Sequence, residues 1–589
     1  MVQFIKVFFA SLLALIVFSF LAILVIVGWV GAITSSDRPE TGAKAVLYLD
    51  LSQPIMEQSV ENPLADFQPE TQSDLPGLYD LVRMIHHAKS DSAVKGIYIR
   101  CASNANDLAT SDELRDAILE FRKSKKFVFA YGDVISQGAY YVANTAERVY
   151  CNPVGGLEWK GFSMQYVFFK KTLEKLEIEP QIFYAGKFKS ATEPLREEQM
   201  TEANRYQSMI LLNDLYGRFL TQTSAARNID TGSLRLWANE MAIRTAKDAV
   251  NYKLIDGALY DDQLRDEIKN RLGLGNSDKI NFITPGKYSK AVSYKQSGGD
   301  GRIALIYAQG DIVDGRGGNG QIGGDTYRNL IRKAATDKAV KAIVIRINSG
   351  GGSAMASENM WREIEVAKKE KPVVVSFGDY AASGGYYMAC GADSIFTRPN
   401  TLTGSIGVFA IIPNMKNLLN NKLGISVDGV KTGPYADIGS IHRPLTATER
   451  MFFQNDIDSI YATFLRRVSD GRKISYAFAD SIAQGRVWTG ERAIGLGLAD
   501  KIGGLHEAVA CAARMAKLSK YSIREFPEAQ SWWESIMSDY KTKAQSSASE
   551  AIRAEFGDDG VKMFYSFKKL RQVFGNAQTK MPFDIRFEF

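Results

Sequence analysis

The feature that most constrains this chain is that it matches itself. AVKGIYIR at 93–100 meets AVKAIVIR at 339–346, and this sets a constant offset of 246 residues (93 to 339). Without a gap, Tyr131-Gly132-Asp133 then falls on Phe377-Gly378-Asp379. QGAYYVANTAERVYCNP, from Gln137, falls on SGGYYMACGADSIFTRP, from Ser383, and Gly161 falls on Gly407. With one extra residue EKLEI at 174–178 meets NKLGI at 421–425. Further on, IRTAKDAVNYKLID, ending at Asp256, meets VWTGERAIGLGLAD, ending at Asp500. Self-similarity on this scale predicts two related folding units in tandem. They are expected at 45–265 and 303–515, joined by a polar connector at 266–302 that carries Gly, Ser and Lys.

Each unit reads as strands alternating with helices. KAIVIRI and KPVVVSF are short, continuous, β-branched runs bounded by Gly or Pro, the pattern of strands buried on both faces. Between them SENMWREIEVAKKEK has the length and amphipathic spacing of a helix. Strands separated by helices build right-handed β–α–β crossovers, so the fold class is α/β. The composition is globular, 45% hydrophobic and 23% charged, and a net charge of +6 without long Lys/Arg blocks argues against nucleic-acid binding.

The N-terminus adds a separate constraint. After a short tail at 1–6, no residue from Val7 to Ile33 is charged. A helix of that length rises roughly 40 Å at 1.5 Å per residue, enough to cross a hydrocarbon core of about 30 Å with tilt. The run exceeds the apolar region of an ordinary cleavable signal peptide, so 7–33 is expected to be a transmembrane anchor in contact with lipid. Lys6 precedes it while Asp37, Arg38 and Glu40 follow. The positive-inside tendency therefore places the body after Ser35 outside the cytoplasm.

The two copies differ where chemistry would sit. Directly after a strand, the second has INSGGGSA at 347–354, where the first has CASNANDL at 101–108. Three glycines let backbone N–H groups turn toward a ligand, as in an oxyanion hole, although a glycine run alone is ordinarily just a loop. In GDYAASGGYY, Ser383 stands just before a helix-like segment, where amides favour negative charge. The first copy keeps Gly138, Tyr140 and Tyr141 around Gln137 and lacks the hydroxyl.

A nucleophilic serine needs a base. Of four histidines, His86 and His87 are expected on the solvent side of a helix and His506 at the end of the second unit, which leaves His442 for a Ser-His arrangement. Lys189, in YAGKFKSATEP of the first copy, is the stronger candidate, because its counterpart in the second copy is Ala436. The copy with the serine lacks the lysine, and the reverse also holds. Cys101, Cys151, Cys390 and Cys511 lie far apart without metal-type spacing and are expected as buried thiols; no metal or cofactor is expected.

INSGGGSAMAS, GDYAASGGYYMA, NTLTGSIGV, GKFKSATEP and GRVWTGERAIGLGLAD together resemble the bacterial signal peptide peptidase A family in its long, duplicated form, also called protease IV. The resemblance covers nearly all of residues 1–510. It implies two crotonase-like or Clp-protease-like α/β superhelical units, a homotetramer on the outer face of the cytoplasmic membrane, and an endopeptidase that degrades apolar peptides such as cleaved signal peptides. It implies Ser383 as nucleophile, Lys189 as general base and acid, Ser405 as the hydroxyl that orients the lysine, and Gly351, Gly352 and Gly384 as oxyanion donors. Trp159 stands at the first copy's counterpart of Ser405, and Gly350 replaces a proline common in relatives. A crotonase-type acyl-CoA enzyme and a non-catalytic membrane scaffold are the other classes such a chain admits. The tail at 516–589, aromatic and mixed in charge, is expected to pack on the body, with an amphipathic helix at 563–574 as a second possibility.

Overall fold

The computed structural model describes residues 3–21 except 5, 16 and 20, then 40–59, 76–295, 298–528, 577–581 and 587–588. The duplication is repeated in two sheets that share one strand order. In the first, Gly257–Ala258, Arg148–Leu157, Phe127–Ile135, Val94–Arg100, Ala45–Asp50 and Phe282–Ile283 lie side by side. In the second, Lys501–Ile502, Ser394–Thr397, Val373–Ala382, Val340–Ser349, Arg302–Gln309 and Ser522–Phe526 follow the same sequence, and every pairing named in both is parallel.

The central strands are buried on both faces. Ile343, Val344, Ile345 and Ile347 are all inaccessible, as are Val373, Val374 and Val375, and this is why the runs do not alternate in polarity. The helix expected between them spans Ala354–Ala367, and the Ser353 side chain caps its first turn by accepting from the Ala356 N–H. Phe282–Ile283, from the stretch expected as connector, pairs with Ala45–Asp50; Ser522–Phe526, from the stretch expected as tail, pairs with Arg302–Gln309. Each closes the edge of its unit's sheet.

A buried polar joint locks the units together. Arg346, 1% exposed, donates to Glu57 at 2.9 Å, Ser376 Oγ at 2.9 Å and the Phe377 carbonyl at 2.8 Å, and its guanidinium lies 2.7 Å from Glu113. Burial opposes the charge on Arg346, but the carboxylates of Glu113 and Glu57 outweigh it and hold the guanidinium above its usual pKa. Asp379 accepts from the Thr110 N–H (2.8 Å) and hydroxyl (2.6 Å), and Asn400 donates to Asp112 at 3.1 Å. One face of the helix Leu108–Arg122 thus plugs into the second unit.

A third sheet is shared between distant parts of the chain. Its order is Gln321–Gly323, Asp311–Val313, Gly351–Ser353, Gln578–Lys580, Val408–Asn414 and Glu179–Ala185. The last pair is antiparallel over seven residues, from Val408 opposite Ala185 to Asn414 opposite Glu179. Among the described residues no helix is long and apolar enough to cross a membrane. Residues 16, 20 and 22–33 of the expected anchor, and the whole of 563–574, lie outside the described residues.

Candidate active site

Ser383 ends the strand Val373–Ala382 and opens the helix Gly384–Ala389. The turn is sharp: its φ is +53° and ψ is −113°, a region that non-glycine residues avoid at a cost of order 1–3 kcal/mol. Its own N–H donates to the Gly404 carbonyl at 2.7 Å, and its carbonyl accepts from Tyr387 at 2.7 Å. The turn is therefore pinned from both sides. Ser405, one residue past Gly404, also has a positive φ, +49°, and donates its N–H to the Arg486 carbonyl at 2.7 Å.

Lys189 reaches this place from the other unit. The strand Glu179–Ala185 pairs with Val408–Asn414, and the chain then turns at Gly186, whose φ is +109°. The Phe188 N–H donates to the Gln484 carbonyl at 2.7 Å, and Gln207 supports the loop by donating to the Phe188 carbonyl at 3.0 Å. Lys189 Nζ thereby comes to 2.9 Å from Ser383 Oγ, 3.0 Å from the Ser405 carbonyl oxygen and 3.0 Å from Ser405 Oγ. Both side chains belong to the same chain.

The electrostatics follow from the burial. Ser383 is 0% and Lys189 1% exposed. Burial depresses the Lys189 pKa well below that of an ordinary lysine, and no carboxylate works against the shift. Three polar atoms around Nζ suit a neutral amine, which offers two N–H donors and one lone pair. The arrangement is a desolvated base beside a hydroxyl, the combination that lets a weak nucleophile attack at neutral pH. His442 lies in the loop after Asp437, and among the described residues Ser383 Oγ is hydrogen-bonded to Lys189 and not to His442.

Peptidase family S49 is matched over residues 120–275 and 365–519. The chain is 36% identical to Protease 4 of Salmonella typhi over 488 residues, covering 81% of this chain and 78% of that protein. The chain belongs to this family. Protease 4 of Haemophilus influenzae is 34% identical over 485 residues, covering 79% of this chain and 78% of that protein. The chloroplastic serine protease SPPA of Arabidopsis thaliana is 33% identical over 440 residues, 73% of this chain and 64% of its own length. A ClpP1 variant of Listeria monocytogenes superposes at TM-score 0.24 and 14% identity over 35% of this chain and 94% of its own, too small a likeness to bear on the fold. This protein is a serine endopeptidase.

The first unit shows what the S49 scaffold does without its hydroxyl. Gln137 lies inside a regular helix whose N-cap is Ser136 at φ −71°, so the strained turn of Ser383 is absent there. The Gln137 amide accepts from the N–H groups of Lys160 (2.8 Å) and Gly161 (3.0 Å) and donates to the Gly161 carbonyl (2.9 Å). Gly161 corresponds to Gly407, where a Cβ would fall 3.1 Å from Lys189 Cδ. The glutamine thus bonds the loop whose second-unit counterpart borders the lysine. Trp159, opposite Ser405 in the alignment, is buried and donates to the Leu234 carbonyl at 2.9 Å. Ala436, opposite Lys189, is exposed in a run of turns.

The expected oxyanion glycines are not equivalent. The Gly351 N–H donates to Ser349 Oγ at 3.1 Å, which engages it away from any substrate. Gly351 instead matters for closeness: with φ +100°, a Cβ there would lie 2.7 Å from the Gly384 nitrogen. Gly384 directly follows Ser383, and Gly352 pairs with Ile312 on one side and Thr579 on the other. The sequence comparison overlooked Gln484-Gly485-Arg486. Gly485, at φ +75°, donates to the Ile406 carbonyl at 2.7 Å, and a Cβ on it would lie 2.6 Å from the Lys189 nitrogen. Its only sequence signal was its place at the head of GRVWTGERAIGLGLAD. His86 and His87 are half-buried rather than solvent-facing, because His86 packs edge-on against His506 at 5.1 Å. The four cysteines are free and buried.

Proposed function

We propose that this endopeptidase works through a Ser383/Lys189 dyad. The observation that carries the proposal is the 2.9 Å approach of a fully desolvated lysine amine to Ser383 Oγ. Neutral Lys189 takes the hydroxyl proton as Oγ attacks the peptide carbonyl carbon. The resulting oxyanion is held by the Gly352 and Gly384 amides, where donors fixed in advance need no reorganisation. The intermediate collapses, the C–N bond breaks, and the leaving amine takes the proton back from Lys189. Water then attacks the acyl-enzyme ester, again giving its proton to Lys189, and the acid is released with Ser383 restored. Ser405 offers its carbonyl and hydroxyl to the amine and so fixes the direction of its lone pair.

The same proposal places the enzyme on a membrane. The uncharged run 7–33 supplies the anchor and lipid contact, and the body stands on the extracytoplasmic side of the bacterial inner membrane as a homotetramer of crotonase-like units. Its substrates are apolar peptides, among them signal peptides left after secretion. A fluorophosphonate probe on the detergent-solubilised chain tests the core of this. Labelling should vanish in Ser383→Ala and fall steeply in Lys189→Met while persisting in His442→Ala. Labelling that survives Ser383→Ala, or that depends on His442 and not on Lys189, would overturn it.

A further inference from the structure

The helix Glu202–Arg227 belongs to the first unit but lays one face on the second. Gln207, Leu211 and Asp214 stand at i, i+4 and i+7, so they share that face. Asp214 accepts from the Arg492 guanidinium at 2.8 Å, and Leu211 joins an apolar cluster with Ala382, Leu402 and Val487. Ala382 directly precedes Ser383. Gln207 is the buried polar member, 2% exposed. Its amide nitrogen reaches the Phe188 carbonyl at 3.0 Å, Ser190 Oγ at 3.1 Å and Asn204 Oδ1 at 3.3 Å, while its oxygen accepts from the Val487 N–H at 3.4 Å. Because the Phe188 carbonyl can only accept and the Val487 N–H can only donate, the amide has one orientation.

These contacts fall on both halves of the candidate site. Phe188 and Ser190 flank Lys189, so the Gln207 amide grips the lysine loop on either side of the amine's own residue. Val487 stands opposite Gly404 where Val487–Thr489 pairs with Leu402–Gly404, and the Gly404 carbonyl accepts from the Ser383 N–H at 2.7 Å. Arg486, the residue before Val487, accepts from the Ser405 N–H at 2.7 Å. One side chain is thus a single contact away from the loop of Lys189 and from the antiparallel strand pair to which both serine turns are pinned. The helix's first turn is fixed in the same way. Asn204 donates to Glu193 at 2.9 Å and the Thr201 hydroxyl donates to the same carboxylate at 2.6 Å, which ties the helix to the segment that follows Lys189.

The second unit has the same helix without this task. Ala447–Arg472 also has 26 residues, a threonine N-cap and a left-handed C-cap, and Thr446 lies 245 residues after Thr201 (446 − 201). At that offset Gln207, Leu211 and Asp214 fall on Phe452, Asp456 and Ser459, all of them exposed. The copy that has exposed Ala436 in place of the lysine therefore also lacks the amide that grips the loop. We propose that Gln207 is a positioning residue for Lys189, holding the amine at bonding distance from Ser383 Oγ and out of water. The inference rests on Lys189 acting as the base. Removing the amide frees Phe188 and Ser190, lets the loop draw back from Val487 and admits water, which weakens the desolvation that depresses the Lys189 pKa.

The experiment compares the full chain with Gln207→Leu, which removes every polar contact at similar volume, and Gln207→Glu, which keeps the shape but turns a carboxylate toward the Phe188 carbonyl. Thr245→Ala, which loses a helix cap outside this network, controls for lost stability. A displacement near 1 Å at a reacting group costs about 10²-fold in rate. Both Gln207 variants should therefore lose at least tenfold in kcat on an apolar peptide, with KM changed by less than about threefold. The rising limb of kcat/KM against pH should also move upward in both, by about half a unit or more, and stay in place in Thr245→Ala. In a Lys189→Met background, Gln207→Leu should change the rate of fluorophosphonate labelling less than about twofold, because the group it positions is gone. A folded Gln207→Leu with wild-type kcat and limb would overturn the proposal, as would an undiminished loss in the Lys189→Met background. Should Gln207→Leu unfold, Gln207→Glu decides by the same criteria. Full activity in Lys189→Met refutes the dyad and this inference with it, whereas a steep loss there beside an unaffected Gln207→Leu refutes the inference alone.

Discussion

Replacing Lys189 by Met separates catalysis from stability, because the two respond differently to pH. Methionine keeps most of the buried volume and removes the amine. With Lys189 as the proposed general base, its loss costs about 10²–10⁴-fold in rate, so kcat/KM on an apolar peptide should drop by that factor. Stability carries two contributions. Stripping Ser383 Oγ and the Ser405 hydroxyl and carbonyl of their shared partner costs about 1–3 kcal/mol, and this penalty is independent of pH. The second contribution tilts with pH. Burial lowers the folded-state pKa of Lys189, so between that value and the ordinary value of about 10.4 the unfolded chain binds a proton that the folded chain does not. Unfolding free energy must then rise with pH, by up to about 1.4 kcal/mol per unit, and the gain is lost as pH falls toward the depressed pKa. Denaturant unfolding of both proteins across a pH series should give a difference curve that slopes in this direction, with Lys189→Met comparatively favoured at the lower pH values. The wild-type rate should rise with pH through the same depressed pKa and level off well below 10.5. Parallel stability curves for wild type and Lys189→Met would refute the claim that the amine is buried neutral.

Further outcomes follow from neighbouring geometry. Gly485→Ala puts a Cβ 2.6 Å from the Lys189 nitrogen at a φ of +75°, so the lysine loop must shift; a displacement near 1 Å predicts a kcat loss of about 10²-fold with the chain still folded. Ser383→Gly and Ser383→Ala should both be inactive, but glycine relieves the positive φ and should unfold about 1 kcal/mol later than alanine in denaturant titrations. Gln137→Ser should create no second labelling site, since the second unit has Ala436 where the first has Lys189, and should destabilise the first unit by about 1–3 kcal/mol because the Lys160 and Gly161 N–H groups lose their acceptor.

Much of the candidate site could be read from the chain because duplication supplies its own control. A serine beside glycines is unremarkable, as is a lysine after an aromatic, but Gln137 against Ser383 and Ala436 against Lys189 give each a counterpart that lacks the side chain. The strained backbone at Ser383 and the relaxed helix at Gln137 express the same contrast in conformation. What resisted sequence reasoning was everything that depends on which groups are already satisfied. The Gly351 N–H looked free until Ser349 Oγ was placed 3.1 Å from it. Gln484 and Gly485 carry no chemistry of their own and act by backbone contact. The short run QTK at 578–580 is too brief and too polar to register as a strand, and its two neighbours in the sheet lie more than 160 residues away in sequence.

By itself, the sequence determined the α/β class, the two units, and which unit holds the hydroxyl and which the amine, because residue type and periodicity are local properties that survive in a linear comparison. Only the tertiary structure decided that the two meet within one chain, since this depends on Glu179–Ala185 pairing with Val408–Asn414 across the boundary between units. It alone decided that Lys189 is desolvated, because a pKa is set by surroundings drawn from several segments and not by neighbours in sequence. It likewise decided that Gln578–Lys580 is seated between Gly351–Ser353 and Val408–Asn414, a matter of which backbone groups of distant segments pair with one another.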